Sequence, residues 1–156
     1  VLDKLTLLLG EKRLGVASGS RIPPAKYVLG DIIGKFNSEA VVFLENTEEA
    51  ERKLSQEKRV PRNLKKPAPY SLLKAAEGFG EFSCVLYVGD SEEDALMAKE
   101  ASKAGKGFAF AGVYRFSGLA DLVRDSFLES GCDIVIPSVN DLPFVLEAIR
   151  SGENCM

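Results

Sequence analysis

The segment Val85–Ala95, "VLYVGDSEEDA", passes from apolar residues directly into Gly89 and Asp90, and Asp94 follows four residues later. An apolar run that ends at glycine predicts a buried strand, and the residues after it predict the first turns of a helix. Carboxylates this close to a strand end repel one another unless a cation lies among them. Because Mg²⁺ takes one or two carboxylates together with waters and a substrate phosphate, Asp90 and Asp94 are the predicted magnesium ligands.

A simpler interpretation covers part of this pattern. Glu92, Glu93 and Asp94 fall in the first helical turn, where negative charge stabilises the positive end of the helix dipole. That explanation suffices for Glu92 and Glu93, but it leaves Asp90 at the strand end without a reason.

Composition places the chain among compact soluble proteins. Its 156 residues fit one domain, with 46% hydrophobic and 28% charged residues. A net charge of −3 gives no general attraction to nucleic acid or to an anionic membrane. The apolar runs are too short to cross a bilayer and no signal peptide is evident, so a cytoplasmic location is expected.

The absence of histidine excludes several kinds of site. A Ser-His-Asp or Cys-His catalytic unit is impossible, and acid-base chemistry falls to other side chains. Cys84, Cys132 and Cys155 are widely spaced without a C-x-x-C pair, which favours reduced structural thiols over a zinc site.

Apolar runs alternate with stretches of helical spacing along the chain, as in a sheet of buried strands covered by helices. The predicted strands are Arg13–Ser18, Ala40–Glu45, Cys84–Asp90, Gly107–Val113 and Asp133–Ser138. The predicted helices are Val1–Gly10, Pro23–Phe36, Thr47–Gln56, Pro69–Gly78, Ser91–Ala104, Ser117–Ser130 and Asn140–Arg150. This order predicts an α/β fold, a three-layer α/β/α sandwich around a mainly parallel, Rossmann-like sheet.

Two further segments lie where ligands bind, beyond the carboxyl ends of parallel strands or in a loop near them. In "VASGS", Ser18 supplies a hydroxyl and Gly19 lets backbone amides approach an oxyanion. In "KKPAP", prolines on both sides of Ala68 stiffen the chain beside Lys66, whose ammonium can neutralise a phosphate and a carboxylate. Taken singly, the first is also an ordinary strand-to-helix turn and the second a solvated basic loop.

In this order, "VASGS", "KPAP" and "GDSEEDA" resemble motifs II, III and IV of the haloacid dehalogenase superfamily, and most closely its phosphoglycolate-phosphatase-like members. The resemblance implies an Mg²⁺-dependent phosphatase. Ser18 would bind the transferring phosphoryl group, Lys66 would steady its charge, Asp90 would bind Mg²⁺ directly, and Asp94 would hold the ion or its waters.

The resemblance also implies a D-x-D-x-T/V segment on an earlier strand, whose first Asp attacks phosphorus and whose second acts as acid and base. No such segment precedes Ser18. Glu45 and Glu48 imitate it superficially, but they fall between motifs II and III. We therefore expect a core domain, residues 1–156, without its nucleophile strand and without a cap domain. An N-terminal segment absent from the chain, or a second copy of the chain, would complete the sheet.

The functional expectation is a phosphohydrolase that acts on a small phosphorylated metabolite through an aspartyl phosphate, with no nucleic acid or membrane partner. The alternative is a non-catalytic domain of the same fold that binds a phosphate or a protein. A receiver domain of two-component signalling is disfavoured because Lys66 precedes Asp90. Dinucleotide and P-loop sites are disfavoured because neither glycine-rich motif is present.

Overall fold

The computed structural model describes residues 1–105 and 107–152. Helices and strands alternate along these residues, as predicted. The helices are α1 Leu2–Leu9, α2 Ile22–Leu29, α3 Leu44–Lys58, α4 Tyr70–Glu77, α5 Glu92–Ser102, α6 Ala120–Glu129 and α7 Leu142–Ser151. The strands are β1 Val16–Ala17, β2 Val41–Val42, β3 Cys84–Gly89, β4 Gly107–Val113 and β5 Ile134–Ile136.

All the strand pairings are parallel, which confirms the α/β, Rossmann-like class. β1 pairs with β2, and a separate sheet has the order β3-β4-β5. Among the described residues no ladder joins β1 to β3, the strands that precede the Ser18 and Asp90 segments. Each of β1 and β3 therefore has one edge that pairs with no strand among the described residues.

Two hydrophobic clusters show that helices cover both faces of the larger sheet. Side chains from α4, α5 and α6 pack with alternate residues of β3, including Val85 and Tyr87. The other alternate residues, Leu86 and Val88, pack with α1 and α7 on the second face. Because successive side chains of a strand point to opposite faces, this alternation confirms the three-layer arrangement.

β3 is less buried than predicted. The sequence predicted a strand buried on both faces, but Cys84 is exposed and the rest of β3 is half-buried. By contrast, Phe110 and Ala111 in the middle of β4 are buried. The physical reason is that β4 has a strand on each side, whereas β3 has a neighbour on one side only.

Two predicted helices differ from those observed. The segment predicted as Pro23–Phe36 divides at Gly30 into α2 and a 3₁₀ helix, Gly30–Lys35. The helix predicted at Thr47–Gln56 begins earlier, at Leu44, because the side chain of Asn46 accepts a hydrogen bond from the Phe43 amide at 2.9 Å. The strands predicted at Arg13–Ser18 and Ala40–Glu45 are two residues long, and β1 and β3 each end one residue before the predicted position.

Within the described ranges, none of the helices is long and apolar enough to cross a membrane. Cys84 and Cys132 are free thiols, and Cys155 lies outside the described residues.

Candidate active site at the ends of strands β1 and β3

Asp94 is a buried carboxylate in the first turn of α5. Only 3% of the residue is exposed. Ser91 caps this helix: its Oγ accepts a hydrogen bond from the Asp94 amide at 3.2 Å and donates one to Asp94 Oδ2 at 2.7 Å. The serine that begins the helix therefore also fixes the orientation of the Asp94 carboxylate.

Lys66 reaches Asp94 from the loop before α4. Its Nζ contacts Asp94 Oδ1, and the two side chains are 22% and 5% exposed. The sequence predicted a lysine held by neighbouring prolines and facing a carboxylate. The structure pairs Lys66 with Asp94, which is one of the two carboxylates predicted for this site.

Tyr87, on β3, is a member of the site that the sequence interpretation missed. Its hydroxyl lies 2.8 Å from Asp94 Oδ1, 3.0 Å from Lys66 Nζ and 3.2 Å from the carbonyl oxygen of Ala17 on β1. The available signal was a hydroxyl-bearing aromatic residue in the otherwise apolar run "CVLYVG". A buried tyrosine usually finds a partner for its hydroxyl.

These contacts set the protonation states of the buried groups. Burial acts to raise the pKa of Asp94, but hydrogen bonds from Lys66 and Ser91 and the charge of Lys66 outweigh it and hold that pKa below its ordinary value. Burial and the neighbouring Asp94 charge raise the pKa of Tyr87 well above its ordinary value. At neutral pH the site therefore holds an ionised carboxylate and a neutral phenol.

Ser18 and Gly19 follow β1 directly. The Ser18 amide donates to Val42 on β2 at 2.9 Å, and Ser18 Oγ accepts from the Ser20 amide at 3.1 Å, forming a tight turn. Gly19 is exposed, and a methyl group added to it would contact nothing within 4 Å. Tyr87 links this strand end to the Lys66–Asp94 pair through Ala17, the residue before Ser18.

Asp90 is exposed at the end of β3, and its carboxylate makes no hydrogen bond or ion pair with another described residue. Gly89, the residue before it, packs directly against Asp94, because a methyl group added at Gly89 would lie 2.5 Å from Asp94 Cβ and 2.7 Å from Oδ2. Asp90 and Asp94 therefore have different surroundings although the sequence treated them as a pair.

The available oxygen atoms are compatible with Mg²⁺ bound chiefly through Asp90. Asp94 Oδ1 already accepts from Lys66 and Tyr87, and Oδ2 accepts from Ser91, so one lone pair remains on Oδ2. No cluster of three Asp, Glu, Cys or His side chains that could enclose a metal is found in the described part of the chain. Mg²⁺ does not require one, since it usually keeps several waters and uses one or two carboxylates plus phosphate oxygens.

A second set of contacts joins the loops that carry Ser18 and Lys66. Glu48, on α3, accepts from Arg21 at 3.2 Å and from Lys65 at 3.3 Å, and Glu45 accepts from the Ile22 amide at 3.0 Å. Both glutamates are thus engaged with the loop after β1. This agrees with the sequence-based rejection of Glu45 and Glu48 as an acidic catalytic pair.

Two surface cavities lie away from the candidate site residues. One, of about 430 Å³, is lined by Asp3, Lys12 and Lys35 among others. The other, of about 350 Å³, lies beside Lys53 and Tyr70. Neither cavity is lined by a predicted site residue.

Comparison with protein families gives one match. The model of the haloacid dehalogenase-like hydrolases matches residues 2–102, which are 101 of the 156 residues and include all the predicted site residues. No curated protein and no solved structure matches the chain. Since the match covers more than half of the chain and includes the strand ends described above, this chain belongs to the haloacid dehalogenase-like hydrolase family.

Proposed function

We propose that this chain provides the phosphate- and Mg²⁺-binding part of a phosphohydrolase that acts on a small phosphorylated metabolite of the kind handled by phosphoglycolate-phosphatase-like enzymes. The observation with the most weight is the contact between Lys66 and Asp94 beside the end of β1. A cation held by a buried carboxylate, next to a serine-glycine turn, is a suitable environment for a transferring phosphoryl group.

Lys66 has a donor left for substrate. An ammonium has three N–H donors, and Lys66 uses one on Asp94 and one on Tyr87. Its third N–H is available to a phosphoryl oxygen. Asp94 keeps the ammonium in place and offsets the cost of its partial burial.

Ser18 and Gly19 bind the other side of the phosphoryl group in this proposal. The Ser18 hydroxyl accepts from Ser20 and retains its own proton for donation. Gly19 allows a phosphate to approach the backbone because no side chain intervenes. The turn and the ammonium thus bind one anion from two loops.

Asp90 is the proposed Mg²⁺ ligand, and Asp94 assists through its remaining lone pair or through a water. When bound, Mg²⁺ offsets the charge of the phosphoryl oxygens and orients them. The exposed and unpaired state of Asp90 supports this assignment, since a carboxylate without protein partners can be shared with an ion at little cost.

The nucleophile is proposed to come from a further strand between β1 and β3. Neither edge is paired with another strand among the described residues, and the Ala17 carbonyl on the β1 edge is contacted by the Tyr87 side chain. In the proposed reaction an Asp on that strand attacks phosphorus and the P–O bond to the alcohol breaks. A second Asp protonates the leaving oxygen, and water then hydrolyses the aspartyl phosphate.

Hydrolysis of p-nitrophenyl phosphate and acetyl phosphate, with and without Mg²⁺, tests this function. The gene product that includes the proposed strand is expected to show Mg²⁺-dependent turnover that Asp90→Asn abolishes. Glu93→Gln is the matched control, because it removes one charge from the adjacent helical turn at an exposed side chain. Unchanged turnover in Asp90→Asn would remove Asp90 from the site.

A non-catalytic domain that binds phosphate or a protein is the second candidate. It is favoured by the contacts of Glu45 and Glu48, the acids just after β2, with Arg21, Ile22 and Lys65, which engage both carboxylates. Mg²⁺ and phosphate binding without turnover, in the gene product that includes the proposed strand, would support this candidate over the enzyme.

A further inference from the structure

The Tyr87 hydroxyl lies at the meeting point of three separate segments. Lys66 reaches it from the loop before α4, Asp94 from α5 and Ala17 from β1. The Lys66 and Asp94 contacts, at 3.0 and 2.8 Å, have ordinary hydrogen-bond lengths, and the Ala17 contact, at 3.2 Å, is longer. Among the described residues, no other side chain hydrogen-bonds to all three segments.

The direction of the Ala17 carbonyl explains why the contact with β1 matters. The Ser18 amide points to β2, where it donates to Val42 at 2.9 Å. Neighbouring residues of a strand direct their amide and carbonyl groups to opposite edges, so those of Ala17 point away from β2. The Tyr87 hydroxyl contacts the Ala17 carbonyl at this edge. Because a carbonyl oxygen has two lone pairs, it can accept from Tyr87 and also from an amide of the further strand proposed above.

The Tyr87 hydroxyl has only one hydrogen atom to donate to its neighbours. Lys66 has no acceptor and must donate to the phenol oxygen, while the phenol has one proton for Asp94 or Ala17. The Asp94 contact at 2.8 Å is shorter than the Ala17 contact at 3.2 Å. One proton is therefore shared between the two acceptors, and it keeps the end of β1 beside the ion pair.

We infer that Tyr87 is a positioning residue whose hydroxyl holds the β1 end, and with it Ser18, at a fixed spacing from Lys66, so that both groups bind one phosphoryl group. This inference rests on the proposed function. The phenol does not touch the reacting atoms, and it acts through the two loops that it joins.

The aromatic ring is held independently of the hydroxyl. It packs on Phe110 of β4 with ring centroids 6.0 Å apart and contributes to the core cluster beneath α4 and α5. Burial and the Asp94 charge raise the pKa of Tyr87, so the phenol keeps its proton throughout the physiological pH range. Tyr87→Phe therefore removes the hydroxyl and leaves the packing in place.

Tyr114→Phe is the matched control. Tyr114 follows β4 and packs against the same core cluster, but its hydroxyl makes no hydrogen bond to any residue within the described ranges. NMR spectra of the free chain would report the carbonyl resonance of Ala17 and the amide resonance of Gly19 in wild type and both variants. Titration with inorganic phosphate at saturating Mg²⁺ would give dissociation constants, and thermal unfolding would give Tm.

In Tyr87→Phe the Ala17 and Gly19 resonances are expected to move, and the dissociation constant for phosphate to rise about three- to tenfold, as expected for one lost hydrogen bond. Tyr114→Phe is expected to match wild type in these resonances and in the dissociation constant for phosphate. Unmoved resonances would overturn the inference, and so would a lower Tm with the wild-type dissociation constant, which indicates a purely structural role. Absence of phosphate binding by the wild-type chain would contradict the proposed function, whereas the Ala17 resonance would still decide whether Tyr87 joins the two segments.

Discussion

Lys66 and Asp94 form an ion pair between the loop before α4 and the first turn of α5, with side chains 22% and 5% exposed. An ion pair removed from water is stable only when its remaining donors and acceptors are satisfied. Here Ser91 and Tyr87 donate hydrogen bonds to the two oxygens of the Asp94 carboxylate. Asp94 therefore serves mainly as the ion-pair partner of Lys66. The Asp90 carboxylate has no protein partner among the described residues and is the proposed Mg²⁺ ligand.

Asp94→Asn is expected to lower the free energy of unfolding by about 3 kcal/mol, because it leaves the Lys66 ammonium partly buried without its counter-charge. Urea unfolding would measure the change. Asp121→Asn is the control, since its side chain is 87% exposed, and it should unfold like wild type. Equal stabilities of Asp94→Asn and Asp121→Asn would show that the buried pair contributes nothing.

Asp90→Asn is expected to lower the affinity for Mg²⁺ without changing the free energy of unfolding. Stability should stay at the wild-type value because the carboxylate has no partner among the described residues, whereas Mg²⁺ affinity should fall at least tenfold. Calorimetric titration of Mg²⁺ into wild type, Asp90→Asn and Glu93→Gln would measure this. If Glu93→Gln lost as much affinity as Asp90→Asn, the effect would be general electrostatics and not ligation.

Acid should weaken the fold through Asp94. Its pKa is lowered in the folded chain, so its contribution to stability is present above the ordinary value of 3.8 and is lost as the pH falls through the folded pKa, below 3.8. Unfolding free energies measured between pH 5 and pH 2 should fall more steeply for wild type than for Asp94→Asn. Parallel curves would contradict the lowered pKa.

Gly89→Ala is expected to displace the Asp94 carboxylate, because the new methyl group would lie 2.5 Å from Asp94 Cβ. Overpacking of this kind costs about 1–3 kcal/mol, which chemical denaturation would detect. Gly118→Ala is the control, since nothing lies within 4 Å of its added methyl group. A Gly89→Ala chain as stable as Gly118→Ala would show that α5 shifts freely and does not fix Asp94.

The periodicity of apolar residues was sufficient to predict the alternating helices and strands, and β4 has the predicted bounds. The expectation of a core without its nucleophile strand came from the resemblance to a family, because apolar periodicity alone does not give strand order, which depends on pairing between distant segments. β3 is half-buried for the same reason: its sequence is apolar enough for a central strand, but a neighbour is present on one side only.

The residue types of the site could be chosen from the sequence, but their partners could not. Lys66 and Asp94 were both selected, and the pattern GDSEEDA placed Asp90 and Asp94 in one site. Nothing in that spacing shows that Ser91 and Tyr87 occupy the Asp94 oxygens while Asp90 stays exposed. That distinction depends on how α5 packs against the end of β3, where Gly89 lies close to Asp94.

An NMR titration of the wild-type chain with inorganic phosphate, in the presence and absence of Mg²⁺, tests whether Gly19, Lys66 and Asp90 belong to one anion-binding site. We expect Mg²⁺-dependent shifts of the amide resonances of these three residues, since they would surround one bound anion. Shifts centred instead on Lys12 and Lys35, beside the larger surface cavity, or no Mg²⁺ dependence at all, would contradict it.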